Sequence, residues 1–381
     1  MSRSSRNTGT FPKVPGSDKT ITNSSEPGTF GNVPDETPFQ LGFRMPAEWA
    51  PHEATWLAWP TNEETWPGKL PEVEEIYLQM IEAITSGEKV HLLVNDEKTR
   101  DLVSHRLKDR GVSEKNMVYF LIPTVDAWVR DYGPSFATGG KTKSEIVGIK
   151  WIFNAWGGKY ESLALDNGAG EKIADQLEMP FFRPGMILEG GSIDTNGLGT
   201  CLVTEQCLLN PNRNPHLSRA QVEGMLRDFL GFTHFIWLGE GIEGDDTDGH
   251  IDDITRFVDP TTVVTAIEEN LEDPNAQPLQ ENWKRLEKAR DQDGKKLEIV
   301  SLPMPDRVEI SWGRLPASYL NFYIANTVVL VPVFGSNKDE AALQILQSLF
   351  PRKRVVPIRS ETLVMGLGGI HCVTHEQPRP L

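Results

Sequence analysis

No stretch of this 381-residue chain stays apolar for the roughly 18 residues that a membrane-spanning helix needs, so a membrane span is not expected. Positive charge is also in short supply. Against 54 Asp and Glu stand 38 Lys and Arg, a formal net charge of -16, which argues against nucleic acid as a partner and favours attraction of cations. Cysteine is scarce and odd in number, three in all, which leaves no basis for a disulfide framework and points to a reducing compartment. The N-terminus lacks the apolar core of a secretory signal. Cytoplasm is therefore the expected location. No second Cys/His pair at metal spacing accompanies His371, Cys372 and His375, which weakens a zinc reading of that trio.

The first 37 residues are Ser, Thr, Gly, Asn and Pro with isolated Phe, too polar to offset the entropy of ordering them, and read as a disordered tail. Their Ser/Arg-rich, acid-poor opening leaves an organelle transit peptide as the less favoured alternative. Residues 38–381 read as a single domain in which helix and strand patterns alternate, an α/β class. Pro71 opens a helix with Val73, Ile76, Tyr77, Met80, Ile81 and Ile84 on one face, and Gly87 closes it. A strand over 90–94 follows, then a helix capped by Asn95 or Asp96 and carrying Leu102, Val103 and Leu107, then a strand over 118–122. Ser218 and Gln221 form a capping-box pattern ahead of Val222, Met225, Leu226 and Phe229. Cys201 and Cys207 both fall in strand-like text and read as core thiols. Polar clusters recur ahead of apolar runs at 130–134, 189–192, 249–253, 319–322 and 369–372, which suggests a supersecondary unit repeated around an axis. An ordinary doubly wound sheet would alternate helix and strand as well.

Cys372 is the sharpest chemical signal, a thiol behind the Gly368-Gly369 pair in a polar stretch. Glycines let backbone approach a ligand closely, and polar flanks are poor core material. A buried, inert thiol is the competing reading. Asp245 to Asp253 packs five Asp around His250. An EF-hand register fails because Ile251 stands where Gly is required, leaving an irregular metal loop, a solvated acidic turn, or a general acid/base His250 with Asp252 two residues on along a strand. Arg130-Asp131 is ordinarily a surface pair. Facing a pocket at a strand end, Asp131 could instead accept N–H donors from a flat cation while Trp128 stacks on it. Glu189 against Gly190-Gly191 is either a plain β-turn or a carboxylate at a close-approach site. One thiol, one imidazole and three carboxylates suit a guanidinium. It is planar, permanently charged and rich in donors, and its carbon resists water but yields to a thiolate.

These motifs also carry a resemblance. The segments 45–49, 51–53 and 56–60, Trp128-Val129-Arg130-Asp131-Tyr132-Gly133-Pro134, Glu189-Gly190-Gly191, Gly244 to Asp252 and Ile370-His371-Cys372 together resemble the agmatine deiminase family, which includes the bacterial peptidylarginine deiminases, in order from about Phe43 to Pro378. The resemblance implies the pentein fold, a five-bladed α/β propeller of pseudo-fivefold units with a central site. It implies Cys372 as nucleophile, His250 as acid/base, Asp131, Glu189 and Asp252 around the guanidinium and Trp128 lining the pocket, with no metal and no cofactor. Gly369 stands in place of an Asn common in agmatine-specific members, and His375-Glu376 in place of two glutamines. The expected reaction is agmatine and water giving N-carbamoylputrescine and ammonia, a step of polyamine biosynthesis. A peptidylarginine or free-arginine deiminase is the alternative within the enzyme class, and a non-catalytic metal-binding or interaction protein the alternative outside it. The expected partner is a cationic guanidino small molecule, with neither nucleic acid nor membrane. The sequence does not fix the oligomeric state, although an acidic propeller suits a homodimer.

Overall fold

The computed structural model describes residues 36–140, 145–311 and 313–380. The expected tail over 1–37 lies outside the described residues as far as residue 35. The rest is mixed α/β, as the alternating patterns predict. Among the described residues no helix is long and apolar enough to cross a membrane.

Five small sheets share one plan: a short strand pairs antiparallel with a second, which pairs parallel with a third, and none of them closes on itself among the described residues. Asp194–Thr195, Thr200–Thr204 and His234–Leu238 make one such set, with helix Arg219–Leu230 in the parallel crossover. Thr255–Phe257, Thr262–Ile267 and Glu298–Pro303 repeat it around helix Ala276–Lys288. Tyr323–Ile324, Val328–Val333 and Arg354–Arg359 do so around helix Asp339–Leu349. Ser135–Gly139, Glu145–Ile149 and Phe181–Phe182 form a further set, widened by Phe43–Arg44 at its edge. In the remaining sheet the first strand comes from the far end of the chain. His375–Pro378 pairs antiparallel with His52–Ala58, and Lys89–Val94 and Met117–Leu121 extend it in parallel. Parallel neighbours need a crossover, which is why each unit carries a helix or helical segment between its last two strands.

Local chemistry accounts for most element boundaries. Helix Leu70–Ile84 starts with Pro in its first turn, where the missing N–H costs nothing, and buries Val73, Ile76, Tyr77, Met80, Ile81 and Ile84 as their spacing predicts. The Asp96 side chain accepts from Thr99 N at 2.7 Å and caps helix Glu97–Asp109. Leu102 on that helix is an exception to its expected apolar face, being 51% exposed while Val103 and Leu107 are buried. Ser218 and Gln221 form the expected capping box. Cys201 lies in a strand as read, but Cys207 sits on the short helix Glu205–Leu208, because the Thr204 hydroxyl accepts from Cys207 N and turns the chain there.

The recurrent polar clusters have a structural meaning. Those at 130–134, 189–192, 249–253, 319–322 and 369–372 lead into the short first strands that begin at Ser135, Asp194, Thr255, Tyr323 and His375. Each unit thus delivers one polar turn at the same point of its plan.

Candidate active site

Each polar turn contributes a side chain to one buried cluster. Asp131 lies in the helical turn Val129–Tyr132 rather than at a strand end. Glu189 precedes the 3-10 turn Gly190–Ser192, a helical variant of the turn considered for this segment. His250 and Asp252 flank the start of the 3-10 turn Ile251–Asp253, so they share a site by turn geometry and not by strand alternation. Asn321 and Cys372 come from the two remaining units.

Gly191 marks the centre. A Cβ there would stand 2.6 Å from His250 Nδ1, 3.0 Å from Asp252 Oδ2 and 3.1 Å from Asp131 Oδ1, so only glycine leaves these three groups their positions. Its N–H donates to Asp131 Oδ1 at 2.9 Å, and Trp156 Nε1 donates to Asp131 Oδ2 at 2.8 Å. Asp252 Oδ2 meets His371 Nδ1 at 2.6 Å, while its Oδ1 is buried without a partner. Glu189 Oε1 accepts from Arg213 Nε at 2.7 Å, and its Oε2 is likewise without a partner. Neither ring nitrogen of His250 makes a hydrogen bond; Nδ1 stands 4.0 Å from Asp131 Oδ1. Buried polar atoms are normally paired, so this concentration of open acceptors and ring nitrogens points to a ligand with several N–H donors. Asn321 Nδ2 donates to Asp253 Oδ1 at 2.9 Å and stands 3.2 Å from Cys372 Sγ, with Asp252 Oδ2 at 3.9 Å from the sulfur.

Electrostatics follow from burial among like charges. Burial, then Asp252, Asp253 and Asp131, push the Cys372 thiol well above its ordinary range. Burial with Asp252 and Glu189 nearby raises Asp131 to about 8, and burial also raises Glu189 despite Arg213. For Asp252 burial acts upward, but the hydrogen bond and charge of His371 overcome it and hold the carboxylate below its usual value. Burial lowers His250 to about 4, leaving a neutral ring at pH 7.

The proton on Asp131 gives a measurable pH signature. A carboxyl raised in this way contributes stability that is fully present below its unfolded value of about 3.9 and is lost as pH rises through the folded value, here about 8. Asn at this position has no proton to lose. The melting temperature of Asp131→Asn minus that of wild type is therefore expected to climb with pH across this window and level off above it. A difference that stays flat would mean that Asp131 is already ionised in the folded protein.

Some sequence readings change. Arg130 is no surface charge: it is 3% exposed and donates to Glu376 Oε2 at 2.7 Å. The acidic segment is not built as a cation loop. Asp245 accepts from the N–H groups of Thr247, Gly249 and His250, Asp248 pairs with Arg213 and Lys159, and Asp253 bonds Asn321. Nor do His371, Cys372 and His375 converge as a zinc trio, since His371 lies between two carboxylates and His375 Nε2 bonds the Pro134 carbonyl. Trp128 is buried with its ring 5.4 Å from that of Trp66, and a Cβ on Gly368 would collide with it. Trp156, Arg213, Asn321, His371 and Glu48 were missed as site residues. Asn321 and His371 had a sequence signal in their places in the recurrent polar clusters at 319–322 and 369–372, and Glu48 in the 45–49 segment.

Comparison with known proteins identifies the family. The family model for the Porphyromonas-type peptidyl-arginine deiminases matches residues 44–378. The agmatine deiminase of Ectopseudomonas mendocina is 39% identical over 367 residues, covering 90% of this chain and 98% of that protein. The solved agmatine deiminase of Enterococcus faecalis superposes with a TM-score of 0.84 at 33% identity, covering 92% of this chain and 99% of that one. A C. jejuni agmatine deiminase with a Cys-to-Ser substitution, solved with substrate bound, gives 0.79 at 30% identity, covering 89% and 97%. The scaffold and its cluster of thiol, imidazole and carboxylates define the class as the guanidino-directed deiminases. Within that class, the chain belongs to the agmatine deiminase family.

Proposed function

We propose that this protein hydrolyses agmatine to N-carbamoylputrescine and ammonia through a covalent adduct on Cys372. The carrying observation is the set of buried polar atoms without partners, Glu189 Oε2, Asp252 Oδ1 and both His250 nitrogens, on residues linked to one another through His250 and the Gly191 floor and, through Asp252, to the thiol. A guanidinium supplies donors to the carboxylates and the positive charge that their burial lacks. Relatives named agmatine deiminase at 39% identity support the substrate, and the excess of carboxylates suits its double charge. Asp131 and Asp252 hold the guanidinium with Glu189, and Trp128 walls the pocket.

The chemistry then has a proton balance. With the cation bound, the thiol proton passes to neutral His250 and the thiolate attacks the guanidinium carbon. His250 returns that proton to the nitrogen that leaves as ammonia, giving an S-alkylthiouronium. Water adds to this adduct with His250 as base, and collapse expels Cys372 and frees the urea product. The five units with one plan support a propeller in which each faces a shared axis, and with it the reading of residues 38–381 as one catalytic domain.

Comparing ammonia release from agmatine, free arginine and a blocked arginyl peptide tests this reading. Agmatine is expected to have the highest kcat/KM, by about a hundredfold or more, since a missing or added charged group must be matched or left unpaired by the site. Preference for the peptide would replace agmatine by a protein substrate and keep the chemistry.

A further inference from the structure

Cys207 takes no part in the proposed reaction, yet it stands at the back of the same site. Its sulfur, a ring nitrogen of His250 and a carboxylate oxygen of Glu189 all lie within 4.8 Å of one another, and all three residues are buried. The short helix Glu205–Leu208, fixed by its Thr204 cap, presents the thiol there. A second observation points to a ligand: Glu189 Oε2 and both nitrogens of His250 have no hydrogen-bond partner although both side chains are at most 1% exposed.

From this geometry we infer an inhibitory binding site for zinc-type divalent cations formed by Glu189, Cys207 and His250. One carboxylate, one imidazole and one thiolate suit zinc, whereas calcium and magnesium prefer oxygen alone. Bond lengths of about 2.0–2.3 Å in tetrahedral geometry put ligand atoms about 3.5 Å apart, so a modest closing of the three side chains completes the set. A fourth position stays open to water. Arg213 holds Glu189 Oε1 and repels a cation, but Oε2 is free and Asp131, Asp252 and Asp248 surround the group. An ion held on a ring nitrogen of His250 withholds that nitrogen from proton transfer. Inhibition therefore rests on the proposed role of His250, while binding does not.

Two readouts keep these apart. Cobalt(II) added to full-length Cys372→Ser is expected to develop a thiolate-to-cobalt charge-transfer band, and the further change Cys207→Ser to abolish it. Absence of the band, or its persistence without Cys207, overturns the site. With agmatine as substrate, zinc is expected to inhibit the otherwise wild-type enzyme reversibly by chelator. In Cys207→Ser and Cys207→Ala, each compared with its own metal-free rate, the inhibition constant should weaken at least about tenfold, the lower end of what losing even an outer-shell partner of a metal ligand costs. Equal inhibition would place the metal on Cys372 and overturn the inference. A cobalt band in a protein that does not turn over agmatine would support the site and reject only the functional reading.

Discussion

Cys372→Ser is expected to lower kcat for agmatine by about ten-thousandfold or more, because a serine hydroxyl gives no useful nucleophile where a thiol can. Agmatine binding should survive, since the groups left open for the guanidinium belong to Glu189, Asp252 and His250 and not to the sulfur. Ligand-induced thermal stabilisation and ammonia release, measured on the same variant, separate the two effects. Turnover within tenfold of wild type would sink the covalent mechanism. The environment adds a second expectation. Burial and the three nearby carboxylates hold the thiol protonated in the empty site, so its alkylation by neutral iodoacetamide should be slow at neutral pH and rise only above the ordinary thiol range of about 8.5. Turnover should not follow that curve, because the incoming dication offsets the carboxylates and favours the thiolate. A free-enzyme thiol that alkylates fully at neutral pH would show that the site ionises Cys372 without its substrate.

The sequence made local features legible and left distant pairing hidden. Helix Leu70–Ile84 and the Ser218/Gln221 capping box could be read because their signals recur within one or two turns. The polar clusters could be read as repeats because each stands ahead of an apolar strand. Their conformation could not: Asp131, Glu189 and His250 sit at helical turns, where strand alternation says nothing. Leu102 has the spacing of a core-facing residue, yet it stays half-exposed. Glu48 and His371 show the deeper limit. They are 323 residues apart and meet at 2.7 Å, and Glu48 reaches Arg256 across 208 residues. Charges read singly look like surface; only the fold turns them into a buried network.

That network carries the second large expectation. Glu48 accepts from Arg256 Nη2 at 2.8 Å and from the Ile324 backbone N–H at 2.7 Å, meets His371 Nε2 at 2.7 Å and lies 3.6 Å from Arg130. Carboxylates stand at both of its ring nitrogens, so His371 ties Glu48 on one side to Asp252 on the other. Glu48→Ala removes the hub and leaves buried cations short of a partner, a change that costs about 3 to 5 kcal/mol for a broken buried pair. Glu48→Gln keeps the shape and an acceptor for Ile324 but not the charge, and is expected to lose a large part of the same stability. Urea unfolding midpoints measure both. The functional effect passes through His371. The bond and charge of His371 hold Asp252 ionised against the cost of burial, so loosening that ring lets the Asp252 pKa rise, and the acid limb of kcat/KM should move to higher pH in Glu48→Gln. Merely structural damage would lower the rate at every pH alike and leave the limb in place. A variant with the wild-type urea midpoint and an unshifted limb would show that Glu48 neither supports the core nor sets the state of the carboxylate beside Cys372.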